Sequence, residues 1–254
     1  MTTLNRHELA TSRFTVTLAD DVAMSTKPYF SRQGLQESRY TLSDPTQFSR
    51  PAAAPPLVAV ARYTVGGVPV EIRETVRRRE AKLPYGDVLR EVRSVPRLAV
   101  MMTPANAIVP LAAATKRVDV EVSLLHNAET ATTGQVTLRM PGGWTSEPAS
   151  QAFAFARAGE RAAYRFSVRP GAIDAKTYTI EAVASAAGKE YREGYELIDH
   201  RDLEVRYLYR RSTADVRGVD VTTVSGLKVG YVMGVGDQVP LGLQQLGAQV
   251  TLLG

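Results

Sequence analysis

Residues 118 to 169 read VDVEVSLLHNAETATTGQVTLRMPGGWTSEPASQAFAFARAGERAAYRFSVR, and this stretch decides the fold. Three of its runs alternate apolar with polar residues, which is the period of a strand that buries one face. The predicted inward-facing residues are Val118, Val120, Val122 and Leu124, then Val136, Leu138 and Met140, and last Tyr164, Phe166 and Val168. The runs predict the centre of an antiparallel β-sandwich.

The same pattern continues on both sides of this stretch. Short alternating runs follow one another from about Pro96 to Arg211, and the last of them is Leu203 to Tyr209. Turns at intervals of about 8–12 residues are typical of an immunoglobulin-like sandwich. The cysteine pair of antibody domains is missing, because the chain has no cysteine. We therefore predict an immunoglobulin-like sandwich over residues 96–211.

The first third of the chain also indicates β structure. Residues 57–76 predict a hairpin in which Gly66-Gly67 forms a tight two-residue turn. A short strand is predicted from Arg13 to Leu18, where alternate residues are apolar. We interpret residues 1–95 as a second, smaller sandwich, and we expect the sequence to begin partway through a longer protein.

The last segment changes character after a predicted linker over residues 212–226. Residues 227–233 predict a buried strand, 239–246 a short helix, and 248–253 a second strand. A strand, a glycine loop, a helix and a strand are the opening of an α/β domain with a parallel sheet. One such unit cannot cover both faces of its sheet. We therefore expect residues 227–254 to be the truncated start of that domain, and to be poorly packed or to lean on the sandwich.

Composition excludes several functional classes. The net charge is +5, but the arginines are dispersed, and the cluster Arg77-Arg78-Arg79 is followed at once by Glu80. This pattern is typical of a solvated strand end, so we predict no nucleic-acid partner. We also predict no membrane span, because no run approaches about 20 apolar residues. The absence of cysteine excludes disulfides and thiolate metal sites.

No motif in the sequence predicts a catalytic, cofactor or metal site. The three histidines, His7, His126 and His200, lie in separate segments without ligand spacing. The loop Gly234-Val235-Gly236-Asp237 lacks the third glycine of a dinucleotide fingerprint, since Val239 stands there. It is interpreted as a structural turn, with Asp237 as a candidate helix cap. The acidic pairs Asp20-Asp21 and Glu190 with Glu193 are interpreted as surface clusters.

Trp144 permits two interpretations. It follows Pro141-Gly142-Gly143, so it can plug one end of the sandwich. Alternatively, it can lie exposed beside Tyr178 or Tyr191 and stack on a sugar ring through its apolar face. The sequence leaves both interpretations open, and these three aromatic residues are the candidate carbohydrate contacts.

Two resemblances narrow the function. Residues 135–184 resemble the accessory sandwich found beside carbohydrate-binding modules in bacterial glycosidases, which shows a Pro-x-Gly-Trp turn and a later Tyr-x-Ile strand. The matching residues here are Pro141, Gly143, Trp144, Phe153, Gly159, Glu160, Pro170, Tyr178 and Ile180. The flanks, residues 26–30 and VGYVMGVGDQVPLGLQQLGAQVTLL, resemble the later portions of large bacterial PIG-L (LmbE-like) deacetylases.

The second resemblance implies a parent hydrolase, a zinc-dependent de-N-acetylase of amino sugars, in which a glutamine-amidotransferase-like α/β domain follows the sandwiches. The family's His-Pro-Asp-Asp-Glu-like motif is not in this sequence, so no catalytic residue is carried over and zinc is expected only in a missing domain.

The expected role is a non-catalytic scaffold or substrate presenter. The alternative is a carbohydrate-binding or adhesion module of a secreted glycosidase. A weaker alternative is a nucleotide-binding protein. The expected partners are neighbouring domains and carbohydrate, and the expected location is periplasmic or secreted.

Overall fold

The computed structural model describes residues 3–5, 7–17, 26–32, 36–84, 86–113, 116–200, 203–224 and 226–254. The chain divides into two compact units, Met1–Ser94 and Val95–Gly254. The division lies one residue from the predicted boundary between the first two domains. Each unit is mainly β, as the sequence predicts, and each is described by itself.

Unit 1 consists of three two-stranded antiparallel pieces among the described residues. Their strands are β1 (Phe30–Ser31) with β2 (Thr41–Leu42), β3 (Val58–Val65) with β4 (Val68–Thr75), and β5 (Arg77–Ala81) with β6 (Asp87–Glu91). A short 3-10 helix, Pro45–Gln47, follows β2. The predicted hairpin is therefore present, and Gly66 and Gly67 adopt the positive φ values of 57° and 84° that its tight turn requires.

One prediction for unit 1 needs revision. Residues 13–17 form no strand, and Phe14 and Val16 are 83% and 63% exposed. Alternation predicted a strand there, but no neighbouring strand pairs with this segment among the described residues; Leu18, the last residue of the prediction, lies outside them. The described residues of unit 1 also form separate ribbons, and two packed sheets are not observed among them.

Unit 2 contains an immunoglobulin-like β-sandwich. Its strands are β7 (Leu98–Thr103), β8 (Asn106–Pro110), β9 (Val118–His126), β10 (Thr132–Arg139), β11 (Thr145–Glu147), β12 (Ser150–Phe155), β13 (Arg161–Arg169), β14 (Thr177–Ala186), β15 (Lys189–Tyr191), β16 (Glu193–Ile198), β17 (Arg206–Arg211) and β18 (Thr213–Val219). One sheet has the order β12-β10-β14-β18-β8, with β15 attached to β14. The other has the order β11-β13-β9-β7.

The core lies between these two sheets. The predicted alternation along β9 is confirmed, because its even-numbered residues are buried and the residues between them are more exposed. Phe166 on β13 is paired with Val120 on β9 and is 1% exposed. Burying a side chain of this size contributes on the order of 1.5–3 kcal/mol to folding.

Two features of the sandwich correct the sequence analysis. The predicted linker over residues 212–226 contains β18, whose inward residues Ala214 and Val216 are fully buried. Small residues give a weak apolar signal, which is why this central strand was missed. Strand β18 pairs with β8 in parallel, so the sheet is mixed and not purely antiparallel.

The C-terminal segment has the predicted strand–helix–strand order, with β19 (Lys228–Val232), α1 (Val239–Gln245) and β20 (Gln249–Leu253). The two strands pair in parallel. The prediction of a buried strand is wrong, because no residue of β19 is buried and Val232 is 72% exposed. The segment contacts the sandwich through α1. The backbone N–H of Ile108 on β8 donates a 2.8 Å hydrogen bond to Oε1 of Gln245 at the end of α1.

The sandwich core generates the first test. Phe166→Ala should lower the free energy of unfolding by about 3–5 kcal/mol, because it opens a cavity between the sheets. Arg165→Ala should lower it by no more than about 1 kcal/mol, because this side chain is 88% exposed and its 3.1 Å pair with Glu121 lies at the surface. Urea titrations of both variants check the difference. Equal losses would mean that the register of β13 is wrong.

Candidate functional site: a tyrosine surface on the ribbon β16–β17

The two strands of one ribbon carry three tyrosines on the same face. Tyr195 on β16 is directly opposite Tyr209 on β17, and Leu197 is opposite Tyr207. Because cross-strand partners and every second residue share a face, the three rings must meet. Their centroids are 5.2 Å (Tyr195–Tyr207), 5.8 Å (Tyr195–Tyr209) and 6.4 Å (Tyr207–Tyr209) apart. We call these three residues the tyrosine surface.

A glycine brings the ribbon close to the sandwich. A Cβ atom at Gly194 would lie 2.7 Å from the carbonyl oxygen of Val100 and 2.7 Å from Cγ of Met101, both on β7. Only a residue without a side chain permits this approach. The ribbon covers the outer side of β7, where Ala99 is 2% exposed although it points away from the sandwich core. Strand β7 is the edge of its sheet, so the ribbon also protects that edge.

Hydrogen bonds fix the orientation of Tyr195. Its hydroxyl donates to Oδ1 of Asn127 at 2.9 Å. The Nδ2 of Asn127 in turn donates to the carbonyl of Pro96 at 2.7 Å, and its backbone N–H donates to the carbonyl of Arg97 at 2.8 Å. Asn127 is therefore held on both sides, and it holds the ring of Tyr195 in one position.

The environment also changes the acidity of Tyr195. Burial raises the pKa of its hydroxyl above the ordinary value, because removal from water disfavours the phenolate. The hydrogen bond to Asn127 and the charge of Arg161 oppose this rise. The hydroxyl of Tyr195 therefore stays neutral at neutral pH, where it donates to Asn127. Tyrosine rings provide apolar faces that suit C–H groups.

Three arginines on β17 accompany the tyrosines, and each of them faces a carboxylate. Arg206 lies 3.0 Å from Glu204, Arg210 lies 3.9 Å from Glu196, and Arg211 lies 2.7 Å from Glu181. Binding to a nucleic-acid backbone needs cations that neutralise phosphates. Here carboxylates already balance these three arginines, and Arg206 and Arg210 project from the face opposite the tyrosines. Arg161 contributes one positive charge near Tyr195.

The three aromatic residues predicted to contact carbohydrate lie elsewhere. Trp144 is 6% exposed and belongs to the core, and Tyr178 packs on it with the ring centroids 5.3 Å apart. Trp144 therefore plugs the end of the sandwich, which is the first of its two interpretations. Tyr191 is opposite Ala184 on β14. Because Ala184 lies six residues from Tyr178 along that strand, Tyr191 is about 20 Å from Tyr178. The structure does not bring it to the Trp144–Tyr178 pair.

The other candidates behave as structural groups. His126 is fully buried, with Nδ1 2.9 Å from the carbonyl of Arg157 and Nε2 2.8 Å from Oγ1 of Thr132. His7 and His200 are exposed. Across the described part of the chain, no three His, Cys, Asp or Glu side chains come together in a group that could hold a metal ion.

Two acidic candidates, Glu190 and Asp237, also have structural roles. Hydrogen bonds from Arg192 and the charge of Arg139 lower the pKa of Glu190, which is an exposed ion-paired residue. Asp237 accepts hydrogen bonds from the hydroxyl of Tyr231 and, at 3.0 Å, from the backbone N–H of Val239. It thus stabilises the start of α1, although the N-cap position itself is Gln238. Asp20-Asp21 lies outside the described residues.

Comparison with known proteins gives fold likenesses only. No protein-family model matches the chain, and no curated protein matches its sequence. Among solved structures, the apo form of the Calx CBD1 domain is similar to 49% of this chain over 100% of its own, with 9% identity and a TM-score of 0.28. The cupredoxin domain of amoB from Nitrosocaldus yellowstonii is similar over 50% of this chain and 88% of its own, with 12% identity and a TM-score of 0.27. At these scores the likenesses carry no argument about function.

No helix of the described residues is long and apolar enough to cross a membrane.

The position of Tyr195 generates the second test. Its ionisation should occur above about pH 10, the ordinary value for tyrosine, and any stability that depends on the neutral hydroxyl should be lost as the pH rises through that raised pKa. The absorbance at 295 nm is measured against pH for both proteins. Subtracting the curve of Tyr195→Phe from that of the unmodified protein isolates the ionisation of Tyr195. If this difference curve has its midpoint at or below pH 10, the assigned burial of Tyr195 is wrong.

Proposed function

We propose that this chain is a non-catalytic β-sandwich module that binds a neutral glycan on the tyrosine surface. The observation that carries the proposal is the group of three tyrosine rings, with centroids 5.2–6.4 Å apart, on one ribbon. Aromatic faces carry partial negative charge, so they attract the C–H groups on the apolar side of a sugar ring. The hydroxyls at the ring edges can bond to sugar hydroxyls.

The rigidity of the ribbon supports binding. Tyr195 is fixed through Asn127, and Gly194 lets β16 lie directly against β7. A surface that is already ordered loses little conformational freedom when a ligand is bound. The tyrosines themselves have only two rotatable side-chain angles, so they provide contact area at a low entropic cost.

The charge distribution favours a neutral glycan over a nucleic acid. Tyrosines could also stack on bases, but such sites run beside a cationic groove that follows the phosphates. The nearby arginines Arg206, Arg210 and Arg211 each face a carboxylate within 4 Å. Binding to the tyrosine surface should therefore depend weakly on salt, whereas binding of nucleic acid would weaken strongly with it.

The resemblance to PIG-L deacetylases suggests which glycans to try first. In this proposal the module belongs to a larger extracytoplasmic enzyme that removes acetyl groups from amino sugars, and it presents the substrate to a catalytic domain. Oligosaccharides of N-acetylated amino sugars are therefore the first ligand class. A glycosidase as the parent enzyme would direct the search to other polysaccharides, and both classes use the same aromatic surface.

Glycan binding provides the third test. Tyr207→Ala should weaken binding of the best glycan in a panel by about 5-fold or more, the equivalent of at least about 1 kcal/mol for truncating an aromatic residue at the centre of a binding surface. Tyr207→Phe should retain most of the affinity, since the ring remains. Titration calorimetry at low and moderate salt measures both.

The control for this test is Tyr40→Ala, which removes a tyrosine that is 55% exposed in unit 1. It should bind like the unmodified chain. The proposal is wrong if no glycan in the panel binds, if the Tyr40 variant loses affinity equally, or if single-stranded nucleic acid binds more tightly than any glycan.

The fourth test concerns catalysis. The chain alone should release no acetate from N-acetylated amino sugars, with or without added zinc, because a catalytic zinc needs about three protein ligands and the family motif that supplies them is missing from the sequence. An assay for free acetate measures this. Zinc-dependent release of acetate would show that the chain carries an active site of its own.

A further inference from the structure

The hairpin β3–β4 of unit 1 has one almost entirely apolar face. Cross-strand pairing places Ala61 opposite Ile72, Tyr63 opposite Val70, and Val65 opposite Val68 on that face. The opposite face carries Arg62, whose Nε lies 2.9 Å from a carboxylate oxygen of Glu71. Most residues of both strands are exposed. An isolated two-stranded hairpin is marginally stable in water, and three or more strands are needed for independent stability.

The two edges of the hairpin differ. The turn has two residues, and the N–H of Val76 donates to the carbonyl of Leu57, so odd-numbered residues of β3 direct their backbone groups toward β4. The backbone groups of the even-numbered residues then point to the open edge of β3. These residues are Val58, Val60, Arg62 and Thr64. Among the described residues, β3 pairs only with β4.

The open edge of β4 is protected. Its outward positions are the odd-numbered ones, and the first of these is Pro69, which has no N–H to donate. Glu71 and Arg73 follow at the next two outward positions. Proline and charged side chains are the devices that keep an edge strand from pairing with another chain. Strand β3 lacks a proline, so its edge is the one that remains able to pair.

We propose that β3 pairs antiparallel with β3 of a second copy of this chain, so that the two hairpins form one four-stranded sheet. The strand itself selects the register. Pairing all eight residues would place even-numbered residues opposite odd-numbered ones. The second copy would then turn its apolar face to the other side of the sheet. Of the two seven-residue registers, the one centred on Arg62 would bring two arginines directly opposite each other, which is unfavourable.

The register centred on Ala61 has no such conflict. It places Arg62 opposite Val60 of the second copy, and Tyr63 opposite Ala59, where a large ring lies beside a small side chain. Val58 is then opposite Thr64, so all four outward residues of β3 find partners and every outward N–H and C=O of the strand is bonded. A foreign strand would need to reproduce this pattern, whereas a second copy supplies it by symmetry.

The lack of cysteine makes a direct test possible, because any introduced thiol is the only one in the chain. In the proposed register the two Ala61 residues form a non-hydrogen-bonded pair with Cα atoms about 4.5 Å apart, which suits a disulfide. Ala61→Cys should therefore give a disulfide-linked dimer under mild oxidation. Ile72→Cys is the matched control, since Ile72 is opposite Ala61 within the hairpin. It should remain monomeric, because the two copies of β4 lie about 14 Å apart.

A second pair of variants tests the edge itself. Val60 and Arg73 are opposite each other, and each directs its N–H to an open edge, so a proline at either position removes no backbone hydrogen bond of the hairpin. Arg73→Pro removes only the exposed 2.8 Å side-chain pair with Glu71 in addition. In sedimentation equilibrium the unmodified chain and Arg73→Pro should approach twice the 27.6 kDa of one chain, and Val60→Pro should remain a monomer.

Three outcomes would overturn the proposal. The first is an unmodified chain that stays monomeric at every concentration. The second is cross-linking through Ile72→Cys in preference to Ala61→Cys, which would indicate packing of the apolar faces. The third is a Val60→Pro variant that dimerises like the unmodified chain. The cysteine pair decides the question even if a proline variant fails to fold.

Discussion

The two sheets of the sandwich each have one apolar face, and the cover of that face determines how firmly they are held. In unit 2 the two sheets of the sandwich cover each other, and residues such as Val122 and Ile180 lose all contact with water. Burial of apolar area is the main favourable term in folding, at roughly 25 cal/mol per Å². The ribbon β3–β4 and the parallel pair β19–β20 have the same alternation but expose much of their apolar faces.

Close backbone approach is the second requirement, and it depends on small residues. A Cβ atom at Gly134 would lie 2.1 Å from the carbonyl of Ser185 and 2.5 Å from the ring of Phe153, so β10 fits between its neighbours only with glycine there. Gly194 plays the same part between β16 and β7. The edge of β8 is covered differently, through Gln245 of α1. In unit 2 the strands β7 and β8 thus both have protected edges.

The sequence predicted the parts of the fold in which local pattern and tertiary environment agree. Alternation located β9, β10 and β13, and Gly66-Gly67 located the hairpin of unit 1. It failed where small side chains weaken the pattern, as in β18, whose buried residues include Ala214 and Gly218. It also failed at Phe14, where an alternating run has no strand to pair with among the described residues. The alternation of apolar and polar residues shows which residues would share a face of a strand. It does not show whether a partner strand is present.

The candidate site shows the same limit. Trp144 was singled out because tryptophan is rare and follows a tight turn, yet that position closes the end of the sandwich and buries the ring. Tyr195, Tyr207 and Tyr209 occur in two ordinary strands separated by a loop, so nothing local marks them as a group. A signal was present nonetheless: YELI and YLYR are adjacent alternating runs, and antiparallel pairing of adjacent runs places their aromatic positions on one face. The register that joins them places Tyr195 opposite Tyr209, and Gly194 lets the ribbon lie against β7. A functional surface on a β protein is thus a property of register, which residue type alone does not reveal.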